Sequence, residues 1–142
     1  MATFFEHETP SYKRRYLKNL VILALSDGSL DKEERELIFN IGYANGLNET
    51  QITPLLESHK KEEMFLPETA ANQMALLYDL MRVIYADGHT KPEEINCLKE
   101  FIISFNLRPE IVDHLIDLFQ YEAPSTKEWK DFVEYIKEVF VS

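Results

Sequence analysis

The sequence predicts an all-α protein of about seven helices, a tandem three-helix repeat followed by a C-terminal closing helix. Three observations carry this. Only 4 Gly and 6 Pro punctuate 142 residues. Between them apolar residues recur at i, i+3, i+4, i+7 spacing and do not alternate. The chain also aligns with itself at an offset of 60 residues.

The elements follow from local start signals. Thr9 before Pro10 opens a helix over about 10–26, and Asp31 with Glu34 opens one over 31–45. Asn48 with Gln51 starts 49–59, where Pro54 requires either a kink or a later start at Thr53, because it lacks an N–H. Pro67 in a first turn begins 67–86, Thr90 with Glu93 begins 91–105, and Pro109 begins 109–120. Ser125 with Glu128 forms a capping box for 125–141, whose apolar face is Trp129, Phe132, Val133, Ile136, Val139 and Phe140. The segments 10–26 and 67–86 are apolar on more than one face and belong at the centre of the fold. Residues from His59 to Phe65, rich in Lys and Glu, read as the linker between halves 10–59 and 67–120.

Composition bounds the rest. Lys and Arg number 15 against 25 Asp and Glu, a net charge of −10, which opposes binding to nucleic acid and to anionic lipid. Seventeen aromatics (9 Phe, 7 Tyr, 1 Trp) and 45% hydrophobic residues supply a core for a single domain spanning 1–142. One Cys builds no disulfide framework, the first residues lack the pattern of a signal peptide, and no apolar run is long enough for membrane insertion. A cytoplasmic location is expected.

Over residues 17–56 the repeat holds eight identities with 77–116, where composition alone gives about two or three. Four fall in one octapeptide, Asp27-Gly28-Ser29-Leu30-Asp31-Lys32-Glu33-Glu34 against Asp87-Gly88-His89-Thr90-Lys91-Pro92-Glu93-Glu94. Gly28 and Gly88 suit the left-handed residue that ends a helix. The Asp before each is harder to place, since a carboxylate at a helix C-terminus opposes the macrodipole by about 0.3–1 kcal/mol. Two readings compensate it. Asp27 and Asp87 accept bonds from backbone N–H groups two or more residues on, with Glu34 and Glu94 as first-turn carboxylates. Alternatively, Asp27, Glu34, Asp87 and Glu94 hold a hard divalent cation such as Ca2+ or Mg2+, with Glu33 and Glu93 as second candidates. An EF-hand is excluded, because its first and third ligand positions hold Leu23 and Leu25 in one copy, Val83 and Tyr85 in the other.

At these residues the sequence resembles the TerB-like tellurite-resistance family, marked by an apolar helix running into Ala-Asp-Gly, an aliphatic two residues later, and a Glu opening the next helix. Here that is Leu23-Ala24-Leu25-Ser26-Asp27-Gly28-Ser29-Leu30 with Glu34, and Val83-Ile84-Tyr85-Ala86-Asp87-Gly88 with Glu94. The second copy departs in having Thr90 in the aliphatic slot and Pro92 within the first turn, which weakens its geometry more than its acidity. The resemblance implies an all-helical fold, a role in bacterial stress responses including tellurite tolerance, divalent metal at the paired acids, and no attached reaction. A co-chaperone role known for a related domain does not carry over, since no His-Pro-Asp motif is present.

Enzyme signatures are missing: no phosphate-cradling Gly-rich loop, no Gly-x-Ser-x-Gly elbow, no His-Glu-x-x-His helix and no Glu-x-x-His pair. A non-enzymatic module is expected. Cys97 reads as core packing and His89 as water-facing or a minor metal donor, while His7, His59 and His114 read as surface. The basic cluster Lys13-Arg14-Arg15 with Lys18 reads as the wet face of the first helix. Phe4, Phe5 and Tyr121 are candidates for contact with a protein partner, which is expected without being identified. The rival to cation binding is thus a protein–protein interaction scaffold in which the acids only cap helices.

Overall fold

The computed structural model describes residues 8–57 and 64–139. Among them lie seven α-helices: α1 (Pro10–Ala24), α2 (Lys32–Ala44), α3 (Glu49–Glu57), α4 (Ala70–Ile84), α5 (Pro92–Ser104), α6 (Ile111–Phe119) and α7 (Thr126–Val139), with one 3-10 turn (Leu25–Asp27) after α1. The all-α expectation holds. Phe4, Phe5, His7, His59 and Phe140, and the linker as far as Glu63, lie outside the described residues.

The caps explain most boundaries. Thr9 Oγ1 accepts from the Tyr12 N–H at 3.1 Å, and Pro10 fills the first turn of α1, where its missing N–H costs nothing. Asn48 and Gln51 exchange two bonds of 2.9 Å, as do Ser125 and Glu128 at 3.0 and 3.1 Å, so both capping boxes form. Three starts move. α4 opens on Thr69, whose Oγ1 accepts from the Asn72 N–H, and Pro67 lies before the helix with its carbonyl held by Gln73. α6 begins two residues after Pro109. α5 takes Lys91 as its N-cap in place of Thr90, which puts Pro92 at N1. Pro92 therefore favours the helix start instead of weakening it. Pro54 lies inside a continuous α3, at the loss of one backbone bond.

α1 and α4 form the centre, as their many-sided apolar patterns require. α1 packs on α2, α3, α4 and α5, and α4 packs on α1, α2, α5 and α6. Leu17, Leu20, Val21, Leu23, Leu76, Leu77, Leu80 and Met81 are fully buried, each such side chain contributing about 1.5–3 kcal/mol. Gly42 lets α2 come close to this centre: a Cβ there would meet Ile52 Cδ1 at 2.6 Å and Leu17 Cδ2 at 3.1 Å. α7 docks through Trp129, whose ring meets Tyr78 edge-on at 5.1 Å and Phe119 at 5.9 Å, while the Tyr78 hydroxyl donates to the Pro124 carbonyl.

Two polar side chains of α1 are buried. Lys18, expected on the wet face, is 6% exposed. Its Nζ donates to the Leu55 carbonyl at 2.9 Å, satisfying a last-turn acceptor of α3. Asn19 donates to the Phe65 carbonyl and accepts from the Phe65 N–H, at 2.7 and 2.8 Å, pinning the end of the linker to α1. Cys97 is buried, as expected, and burial pushes its thiol up to about 12. Among the described residues no helix is long and apolar enough to cross a membrane.

Candidate functional site: two acidic corners around one lysine

Each acidic octapeptide forms the corner between an inner helix and the next. At the first corner the Gly28 N–H bonds to the Leu25 carbonyl and Gly28 adopts φ 95°. At the second the Gly88 N–H bonds to the Tyr85 carbonyl with φ 84°. These left-handed turns bend the chain so that the preceding Asp faces the next helix start. Asp27 Oδ1 accepts from the Ser29 N–H at 3.1 Å, and Asp87 Oδ1 from the His89 N–H at 3.0 Å. Here the helix field is offset by a backbone donor two residues on. Glu34 Oε1 accepts from the Asp31 N–H at 3.1 Å, the back-bond of a capping box.

The Oδ2 atoms of both aspartates, and Glu34 Oε1 again, converge on one lysine. Lys91 Nζ lies 3.4 Å from Asp27 Oδ2, 3.4 Å from Asp87 Oδ2 and 3.6 Å from Glu34 Oε1, and donates a hydrogen bond to Asp31 Oδ2. One ammonium group thus joins both corners. Its side chain is 20% exposed, against 1% for Glu34. Glu94 is fully buried beneath the cluster, and neither of its oxygens, nor Glu34 Oε2, accepts a hydrogen bond.

Charge follows this placement. The bond to Asp31 raises Lys91 above the ordinary lysine range against the cost of burial, with Glu34, Glu94 and Asp87 adding to it. Burial works against the Asp87 charge, but the His89 N–H and then Asp31 and Lys91 hold it below the usual carboxylate range. Burial first, and Glu34 second, push Glu94 up to about 9. Glu94 therefore keeps a proton at neutral pH and directs it toward Glu34. Two facing acceptors with no other donor between them are thus bridged by the Glu94 proton.

All four first candidates, Asp27, Glu34, Asp87 and Glu94, belong to this one cluster. Glu33 and Glu93 instead face solvent, one step round the helix from the buried Glu34 and Glu94, and His89 in the turn is exposed as well. The sequence marks Asp31 only as a helix start and does not mark Lys91 as a site residue. The signal was present: at this pair of positions the octapeptides carry opposite charges. As they stand the acids are spread around the ammonium, and among the described residues no group of three or more His, Cys, Asp or Glu is arranged to hold a metal ion.

A second polar cluster, also unforeseen, lies between the inner helices. The Tyr16 hydroxyl donates to Asp79 Oδ2 at 2.8 Å and Arg82 Nη1 reaches Asp79 Oδ1 at 3.3 Å, with Asp79 6% exposed. Burial raises Asp79, against the pull of Arg82 and the Tyr16 bond.

Residues 73–141 match the family model described as tellurite resistance protein TerB. Over this span the chain is similar to TerB. The matched span, residues 73–141, is just under half of the chain and takes in most of α4 and all of α5, α6 and α7 as described, so it holds Asp87, Lys91 and Glu94. Asp27, Asp31 and Glu34 come from outside it. No curated protein and no solved structure matches the chain.

Proposed function

We propose that this TerB-like chain is a single, non-enzymatic module of the bacterial stress response, including tellurite tolerance, that acts in the cytoplasm and binds a divalent cation at the paired corners. Asp27, Glu34, Asp87 and Glu94 would hold the ion, with Asp31 beside them. The observation that carries the reading is the buried Glu94–Glu34 pair: Glu94 is fully buried, and apart from the proton it holds against Glu34, no donor of the protein reaches either of its oxygens or Glu34 Oε2. Five acids face one lysine, and a hard cation, Ca2+ or Mg2+, suits their oxygens, taking the place of the Glu94 proton as it binds.

The test is thermal unfolding of chelated protein titrated with Ca2+, Mg2+ and Mn2+. A cation at 100 times its dissociation constant adds about 2.7 kcal/mol, and Asp27→Asn with Asp87→Asn removes the gain. If no cation raises the melting temperature above that of the chelated protein, the reading fails.

A second reading has its own support. The Ser29 and His89 N–H bonds and the Lys91 ion pairs give the acids a structural occupation. On that reading the module is a scaffold for a protein partner and Lys91 is its permanent counter-ion. The same titration separates the two.

A further inference from the structure

We propose that Lys91 is a tethered competitor for the cation, so that the site loads by exchanging its ammonium for the divalent ion and releasing the lysine to solvent. The proposal rests on the cation reading and adds the means by which occupancy is controlled.

Donor arithmetic is the first ground. An ammonium group carries three N–H donors. Around Lys91 Nζ stand carboxylate oxygens of Asp27, Asp31, Glu34 and Asp87, and the neighbouring Glu94–Glu34 contact has only the Glu94 proton and no other donor of the protein. Lysine cannot satisfy this set. A cation such as Ca2+, which takes six to eight oxygens, draws on more of it. Position is the second ground. The ammonium lies where the Oδ2 atoms of the two corners meet, and a cation bound there by both corners would have to displace it. The third is freedom to leave. Lys91 is the N-cap of α5, anchored by the rigid Pro92 behind it, and its partly exposed side chain has four rotatable carbons through which to swing out while the backbone stays in place. Neutralising this one amine, by acylation or mutation, would therefore open the site to metal.

Two measurements test this. In calorimetric titration with CaCl2 and MnCl2, Lys91→Met is expected to bind at least about tenfold more tightly than the parent chain. Equal or weaker binding by the variant overturns the competitor role while leaving the cation reading intact. Absence of binding in both proteins overturns both. The second measurement uses the parent chain and does not depend on the variant folding. Acetic anhydride labelling, read by mass spectrometry, is expected to modify Lys91 several-fold faster at saturating cation than in chelator, with Lys130 as an exposed reference. Unchanged or slower labelling of Lys91 overturns the exchange.

Discussion

Lys91 occupies in the second octapeptide the place that Asp31 occupies in the first, 60 residues earlier, and the two are hydrogen-bonded to each other. Each is also the N-cap of its helix. A difference between the two segments has thus become the contact that joins them. For this pair, urea unfolding of the parent, Asp31→Ala, Lys91→Ala and the double variant is expected to show a coupling of about 1–3 kcal/mol. Additive losses would mean that the contact contributes nothing.

Stability should fall as the solution becomes alkaline. The Glu94 carboxyl has a folded value of about 9 against an ordinary 4.5, so the native state binds its proton more tightly than the unfolded chain does. Stability from this group is complete below about pH 4.5 and is lost progressively as pH rises toward 9. Asp79, also raised, acts in the same direction. Asp87, lowered, acts in the opposite direction and only in acid. Chelated protein should melt at a higher temperature at pH 6 than at pH 9, and Glu94→Gln should flatten that slope.

Gly42→Ala should destabilise, although alanine is the better helix former by about 1 kcal/mol. The new methyl would fall 2.6 Å from Ile52 Cδ1, with Leu17 Cδ2 and Ile52 Cγ1 also crowded. Overpacking of this kind costs about 1–3 kcal/mol. Adding Ile52→Val, which deletes that Cδ1, should recover part of the loss in thermal melts.

Tyr16→Phe removes the donor to Asp79 Oδ2 deep between α1 and α4. The expected loss is about 1–3 kcal/mol in denaturant unfolding, since the buried carboxylate oxygen keeps its desolvation cost without its bond. In an Asp79→Leu background the same change should cost much less.

What could be read from the chain was what is decided within a few residues. Ser125 and Glu128, Asn48 and Gln51, and the glycines at 28 and 88 act on backbone atoms nearby, and their structural roles agree with the local chemistry that suggested them. The acids at 27 and 87 drew notice because their placement opposed a helix field, and those at 34 and 94 because they recur in the first turn of the helix that follows. Lys91, Lys18 and Asp79 were not legible. Each is explained by a partner distant in sequence: Asp31, the Leu55 carbonyl and Tyr16 respectively. A charged residue on a helix reads as solvated until the opposing element is known. Pro92 misled for a smaller reason, a one-residue shift of the N-cap that turned an apparent breaker into a favoured first residue.

Asn19 holds both backbone groups of Phe65, as a neighbouring strand would. The chain therefore has no clean seam at its midpoint. A break placed after Phe65 leaves the grip in the N-terminal piece. A break before Met64 strips a buried amide of its two partners and hands them to the other fragment. Split versions of this protein should accordingly reassemble with very different success depending on which piece inherits one phenylalanine.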